Sequence, residues 1–292
     1  MSLLFICNTS SDCVSKVDPE NFREINRIDL KGFEDKKIGP HGICKYRSSI
    51  ITANSYSNTV SIISLEDSKV FHKFIGMHCN DVTVLDRRAF VICGDLNNVM
   101  VLDLFGMNVI EVIPCGSQPH SICSNKKNKL ILTSNFNNDS ITLIDVMNKT
   151  NVDIRVGAYP TKVLFTLDGK SAIVCESNMG SDYKGCISII CLKTLSIIQR
   201  IAVGMFPSDI YCDEKYIYVS NFGEGTVSII DVNNYREIEK IIVGGMPRGI
   251  ISNGKNLYIG DYYNNLLINF NYETKIKRKI PVGNEPAGMV LI

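Results

Sequence analysis

Short apolar or alternating runs separated by polar turns fill the chain from end to end, and no stretch keeps a helical period. In TANSYSNTVSIISL from Thr52, LTSNFNNDSITLIDV from Leu132 and VSNFGEGTVSIIDV from Val219, an apolar strand ends at an Asn and a polar turn follows. A β-branched or alternating strand begins six residues after that Asn. The last residue of this second strand sets one register: Asp18, Ser64, Asp103, Asp145, Cys191, Asp231 and Asn271, at intervals of 46, 39, 42, 46, 40 and 40. Carried from Asn271 through the C-terminus and on from the N-terminus to Asp18, the interval is 39, one more repeat. An open solenoid has no reason to satisfy that condition, whereas a closed ring of seven requires it.

A second register precedes each unit as Gly-x-x-Pro: GSQPHSI from Gly116, GAYPTKV from Gly157, GMFPSDI from Gly204, GGMPRGI from Gly244 and GNEPAGM from Gly283. IGPHGI keeps Pro40 without the spaced Gly, and GMHCNDV puts Cys79 in the Pro slot. Pro fixes φ and lacks an N–H, so it suits a loop that opens a strand. A unit then reads as strand a (PRGIISN, from Pro247), strand b (NLYIGDY, from Asn256), strand c (LLINFNY, from Leu266) and strand d (KRKIPVG, from Lys277). Four strands in roughly 40–50 residues make a propeller blade. The pattern predicts an all-β, seven-bladed propeller as a single domain over residues 1–292. Its C-terminal strand, 286–292, enters the N-terminal blade as the innermost strand.

The segments VSNFGEGTVSIIDV, VGGMPRGI and VGMFPSDI resemble the YVTN repeats of YncE-like β-propellers, and all seven units match in outline. With no Trp and no Gly-His to Trp-Asp pattern, the WD40 repeat is disfavoured. The resemblance implies a binding or interaction module, with DNA binding, attributed to YncE-like proteins, as a further implication.

Composition narrows the function classes. Hydrophobic residues make up 45% of the chain, and Lys+Arg 31 against Asp+Glu 30 leaves a formal charge of +1. There is apolar material for a large core and no global charge to draw nucleic acid or membrane. Eleven cysteines without a CxxC spacing suggest neither a disulfide framework nor a zinc ribbon. Several sit in apolar runs, such as Cys7, Cys44, Cys93, Cys123 and Cys175, where a thiol acts as a small core residue. Such thiols favour a reducing compartment. The N-terminus lacks a basic flank and a cleavage site, and no run approaches the ~18 apolar residues of a membrane span. The expectation is a cytoplasmic monomer that makes no membrane contact.

Alternating strand direction sends the d–a and b–c loops to one face and the a–b and c–d turns to the other. The first face gathers Tyr56, Phe136, Tyr183, Phe222, Tyr262 and Tyr263 in its hairpins, candidates for partner contact. The hairpin after Asn178, with three extra residues, is expected to project furthest. One position past the Pro slot stand His41, Asn80, His120, Thr161, Ser208, Arg248 and Ala287, a ring at the channel entrance. The first six are the candidate ligand site, with Arg248 offering a fork to carboxylate or phosphate. A water-filled channel alone would also make this ring polar. A metal at His41 and His120 would need a third ligand from His78, Asp81 or Asp209, and no local spacing motif supports one.

The opposite turns carry Lys45, Arg47, Arg87, Arg88, Lys126, Lys127, Lys129, Lys170, Lys215 and Lys255, beside Asp86, Asp168, Asp213 and Glu214. A basic ring suits phosphate backbones, although aromatic stacking partners are not expected to interleave with these bases. There is no GxSxG, HExxH, P-loop or GxGxxG. Cys79 beside His78 is a poor nucleophile–base couple, because adjacent residues of an extended segment point apart. The leading expectation is therefore a non-enzymatic binding scaffold, without cofactor or resident metal, for a protein or small ligand on the hairpin face. The alternatives are a lactonase-like hydrolase at the channel mouth and DNA binding through the basic turns.

Overall fold

Seven four-stranded antiparallel sheets are arranged as blades in a computed structural model that describes residues 2–31 and 36–292. Strands a begin at Pro40, Cys79, Pro119, Pro160, Pro207, Pro247 and Pro286, so every Pro slot, including its Cys replacement, opens an innermost strand. Strands c end at Asp18, Ser64, Asp103, Asp145, Cys191, Asp231 and Asn271, the seven positions of the first register. They start one residue earlier than the apolar pattern indicates, at Thr59, Ser140 and Thr226 in the three clearest copies. The early residue is a Thr or Ser whose hydroxyl accepts from the amide of the preceding Asn54, Asn135 or Asn221.

Those Asn residues explain the motif. Each is fully buried, and its Nδ2 donates to two hydroxyls of strand c, as Asn221 does to Thr226 at 3.0 Å and Ser228 at 2.9 Å. A buried amide satisfied in this way ties strand b to strand c. In blade five the tie is different. Strand b ends at Glu176, not at Asn178, and the buried carboxylate accepts from Ser188 at 2.6 Å and Cys186 at 2.8 Å. The hairpin therefore spans 177–185, nine residues against the four of its siblings, two more than the expected excess of three.

The core lies between blades. Among the described residues seven buried apolar clusters form, each shared by neighbouring blades. At the seam, strand a of blade one (Pro286–Leu291) pairs antiparallel with strand b (Leu4–Asn8), with Leu4 opposite Leu291 and Phe5 opposite Val290. Leu3 and Ile292 add a reciprocal pair of backbone hydrogen bonds at 2.8 and 2.9 Å. Across the adjoining interface Leu4, Ile6, Val17 and Phe22 pack on Tyr258, Leu267 and Val282 of blade seven. Gly249 faces this closing strand in the left-handed region, φ +65°, where a Cβ would collide with the Ala287 carbonyl oxygen. The ring is closed by pairing the two ends of the chain.

Candidate functional site

A repeated backbone device builds the mouth of the channel. In six blades the residue before the Pro slot is left-handed: Gly39, His78, Gln118, Tyr159, Phe206 and Glu285. Its carbonyl accepts the N–H of the first hairpin residue, as Phe206 does from Phe222 at 3.0 Å and Gln118 from Phe136 at 3.0 Å. Blade seven uses Met246, which accepts from Tyr262 at 3.0 Å. The d–a and b–c loops are thereby laced together on one face, and their side chains surround a cavity of about 420 Å³.

The floor of that cavity is the ring one position past the Pro slot, and its members are locked blade to blade. His41 Nδ1 donates to the Asn80 carbonyl at 3.0 Å, Asn80 Nδ2 to the His120 carbonyl at 2.9 Å and His120 Nδ1 to the Thr161 carbonyl at 2.7 Å. Thr161 Oγ1 donates to the Pro207 carbonyl at 2.7 Å, and Ser208 Oγ to that of Pro247 at 3.1 Å. Ala287 has no polar group to continue the chain. Arg248 bridges the gap, its Nη2 lying 2.7 Å from His41 Nε2.

A carbonyl oxygen only accepts, so each Nδ1 carries a proton. In the neutral imidazole Nε2 is then the acceptor, which receives Arg248 at His41; at His120, which lines the cavity, it has no hydrogen-bond partner among the described residues. Burial, and then the charge of Arg248, pushes His41 well below the usual range and His120 down to about 4. Both rings are neutral near pH 7.

This depression has a stability consequence. A His that titrates near 6.5 unfolded and about 4 folded leaves the unfolded chain binding more protons in between. Its contribution is complete above about pH 6.5 and is lost as pH falls toward 4. The melting temperature is expected to drop between pH 7.5 and pH 4.5. In His120→Asn, whose amide can make the bond that Asn80 makes one blade away, the drop should shrink. An equal drop in both proteins contradicts the assignment.

Below the ring the channel narrows to a second cavity of about 200 Å³, which shares His41, His120, Thr161, Ser208 and Arg248 with the first. Lys162 stands here between Asp81 at 3.6 Å and Asp209 at 3.4 Å. Burial lowers the Lys162 pKa, but Asp209 and Asp81 outweigh it and hold the ammonium above its ordinary value. Each carboxylate also accepts a backbone N–H from the next blade: Asp81 from Ile122 at 3.2 Å, Asp209 from Ile250 at 3.1 Å.

The cavity walls are aromatic. Phe136 lies between His120 (5.8 Å between centroids) and Tyr159 (5.1 Å). On another arc Phe222 meets Tyr262 edge-on at 5.8 Å, and the Arg248 guanidinium sits over the Tyr262 ring at 5.2 Å. All six ring candidates line the cavity, together with Tyr56, Phe136, Phe222 and Tyr262. Tyr183 and Tyr263 lie outside it, 78% and 70% exposed. The sequence reading missed Phe206, Glu285 and Met179, which also contribute. The first two occupy the position before the Pro slot, so moving the register back by one residue finds them.

Other candidate chemistry is committed elsewhere. His78, which also lines the cavity, faces Asp95 at 3.6 Å, and among the described residues no three His, Cys, Asp or Glu side chains are grouped to hold a metal ion. Cys79 is buried, donates to the Gly76 carbonyl at 3.1 Å and lies 3.9 Å from the Cys93 sulfur. All eleven cysteines are free thiols. On the opposite face Lys129 pairs with Asp86 at 2.6 Å and Arg87 with Asp103 at 3.5 Å. Aromatics do meet the bases there, with Arg47 over Tyr46, Arg88 over Phe90 and Arg87 over Phe105. No helix among the described residues is long and apolar enough to cross a membrane.

The model of the YNCE-like β-propeller family matches residues 1–290. The chain belongs to that family. No functionally curated protein matches this propeller in sequence. Among solved structures, a functionally unknown protein from Desulfotomaculum acetoxidans is 16% identical with a TM-score of 0.81, covering 99% of this chain and 98% of that one. A Bacteroides fragilis protein, provisionally described as a 6-phosphogluconolactonase, is 16% identical with a TM-score of 0.79 over 100% and 98%. A catalytically inactive variant of virginiamycin B lyase from Staphylococcus aureus, in complex with quinupristin, is 16% identical with a TM-score of 0.75 over 88% and 90%. At these identities the likeness is one of fold.

Proposed function

We propose that this YNCE-like propeller is a non-enzymatic binding module that receives a small organic ligand in the cavity of the hairpin face. The observation that carries this reading is the cavity itself: about 420 Å³, walled by Phe136, Phe206, Phe222 and Tyr262 and floored by a ring of locked polar groups. A concave, largely apolar site with a few fixed polar groups is the usual form of a small-molecule site. The blade-to-blade hydrogen bonds hold the floor before any ligand arrives, which limits the ordering cost of binding.

A hydrolase at the same mouth is the second reading, favoured by His120, which lines the cavity with its Nε2 unbonded among the described residues. The lactonase and lyase neighbours lend it the analogy of a shared fold. A base titrating at about 4 is weak at neutral pH, and no nucleophile is hydrogen-bonded to Nε2, so the geometry supports binding better than proton transfer.

A thermal-shift screen of small organic compounds tests the proposal. Compounds that raise the melting temperature of the wild type should bind at least about tenfold more weakly to Phe136→Ala and Phe222→Ala, a loss of about 1.4 kcal/mol or more. Ligands whose affinity is indifferent to both substitutions, or product released from a bound ester or lactone, would overturn it.

A further inference from the structure

Within the cavity just assigned, and resting on that assignment, one charged group has no ion-pair partner among the described residues. Arg248 has five N–H donors. Its contacts are one hydrogen bond to His41 Nε2 and the face of Tyr262. Among the described residues no carboxylate lies within ion-pair distance of it. Lys162, which lines the lower cavity, is met by two. Asp209 attracts Arg248 from beyond ion-pair distance, while its own close contacts are Lys162 and the Ile210 and Ile250 N–H groups. Glu285, the acid on the cavity wall, likewise attracts Arg248 only from beyond ion-pair distance.

Arg248 is therefore a guanidinium withdrawn from bulk water, aimed by a neutral imidazole and an aromatic face, with its remaining donors open to the cavity. A buried charge without a partner is unfavourable, and a fork of planar donors matches carboxylate, sulfonate or phosphate oxygens. Tyr262 and, through it, Phe222 stand on its arc of the cavity, and Phe136 lines another arc beside His120. We infer that the ligand of this cavity is an anion built on a planar apolar body: the acidic group sits on the Arg248 fork and the ring system lies against Phe136, Phe222 and Tyr262. His41 acts as a positioning residue, because its locked tautomer presents the acceptor that orients the guanidinium.

Two fluorescent probes with the same ring body separate the parts of this inference. 8-Anilinonaphthalene-1-sulfonate carries an anion, and N-phenyl-1-naphthylamine is its uncharged counterpart. The wild type should bind the sulfonate at least tenfold more tightly, with one site per chain. Arg248→Gln should weaken the sulfonate tenfold or more and leave the neutral probe within about twofold, whereas Phe222→Ala should weaken both. If the glutamine variant does not fold, Arg248→Lys decides, since it keeps the charge and loses the fork: the preference for the sulfonate should fall at least threefold. Equal binding of the two probes to the wild type, or a sulfonate affinity untouched at Arg248, overturns the anion while leaving the cavity assignment standing. Binding of neither probe overturns both.

Discussion

Removing residues 286–292 should abolish the sharp thermal transition of the full chain. The segment is the whole innermost strand of blade one, paired along Leu4–Asn8 and capped by the reciprocal Leu3–Ile292 bonds. It also carries Ala287, Met289, Val290 and Leu291 into the channel wall and the seam clusters. Backbone hydrogen bonds contribute about 1 kcal/mol each, and the lost apolar burial adds several more. Domains are stable by only about 5–15 kcal/mol in all, so the truncation removes most of the margin. It also leaves an unpaired strand edge that promotes aggregation. Differential scanning calorimetry of the two proteins checks this, and an unchanged melt would contradict a ring closed at this seam.

Lys162→Met is expected to have the second largest effect. The substitution keeps much of the side-chain volume but strands Asp81 and Asp209, whose side chains are 11% and 15% exposed, without their shared cation. Breaking a fully buried pair costs about 3–5 kcal/mol; the 26% exposure of the Lys162 side chain reduces this to about 2–4 kcal/mol. For a chain of this size that is roughly a 3–6 °C fall in melting temperature. The triple variant Lys162→Met with Asp81→Asn and Asp209→Asn removes the stranded charges, while the asparagine oxygens can still accept the Ile122 and Ile250 N–H groups. It should recover at least half of the loss. A single variant that melts with the wild type would mean that the triad is decorative.

The fold was legible because it is written in repeated local chemistry. The Pro slot recurs because an innermost strand must start there, the terminal residue of strand c because a turn must follow, and the two ends add up because the ring must close. The misread end of strand b in blade five, Asn178 for Glu176, arose where a carboxylate replaced the amide that binds strand c; only the contacts to Ser188 and Cys186 reveal the exchange.

The site was half legible. Its ring came from extending the Pro register by one residue, and the locks between its members span 39, 40 and 41 residues, the length of a blade. What the register did not show is how unequal those positions are. Arg248 meets His41 across 207 residues because Ala287 leaves a gap between them, and Lys162 meets Asp81 and Asp209 because three blades converge on one axis. Such contacts follow from ring closure and the choice of side chain at each blade, so spacing alone cannot assign them. Tyr183 and Tyr263, read as partner-contact residues, lie on the same loops but outside the cavity, where only the side-chain directions of the folded hairpins separate them from Phe222 and Tyr262.

The most direct test of the cavity as the binding site is a crystal structure of the propeller with the compound that raises its melting temperature most. The account predicts the compound above the His41–Arg248 floor, its acidic group within hydrogen-bond distance of the Arg248 guanidinium and its ring against Phe136 or Tyr262. A compound bound among the basic turns of the opposite face, or on the outer loops at Tyr183 and Tyr263 with the cavity holding only water, would contradict it.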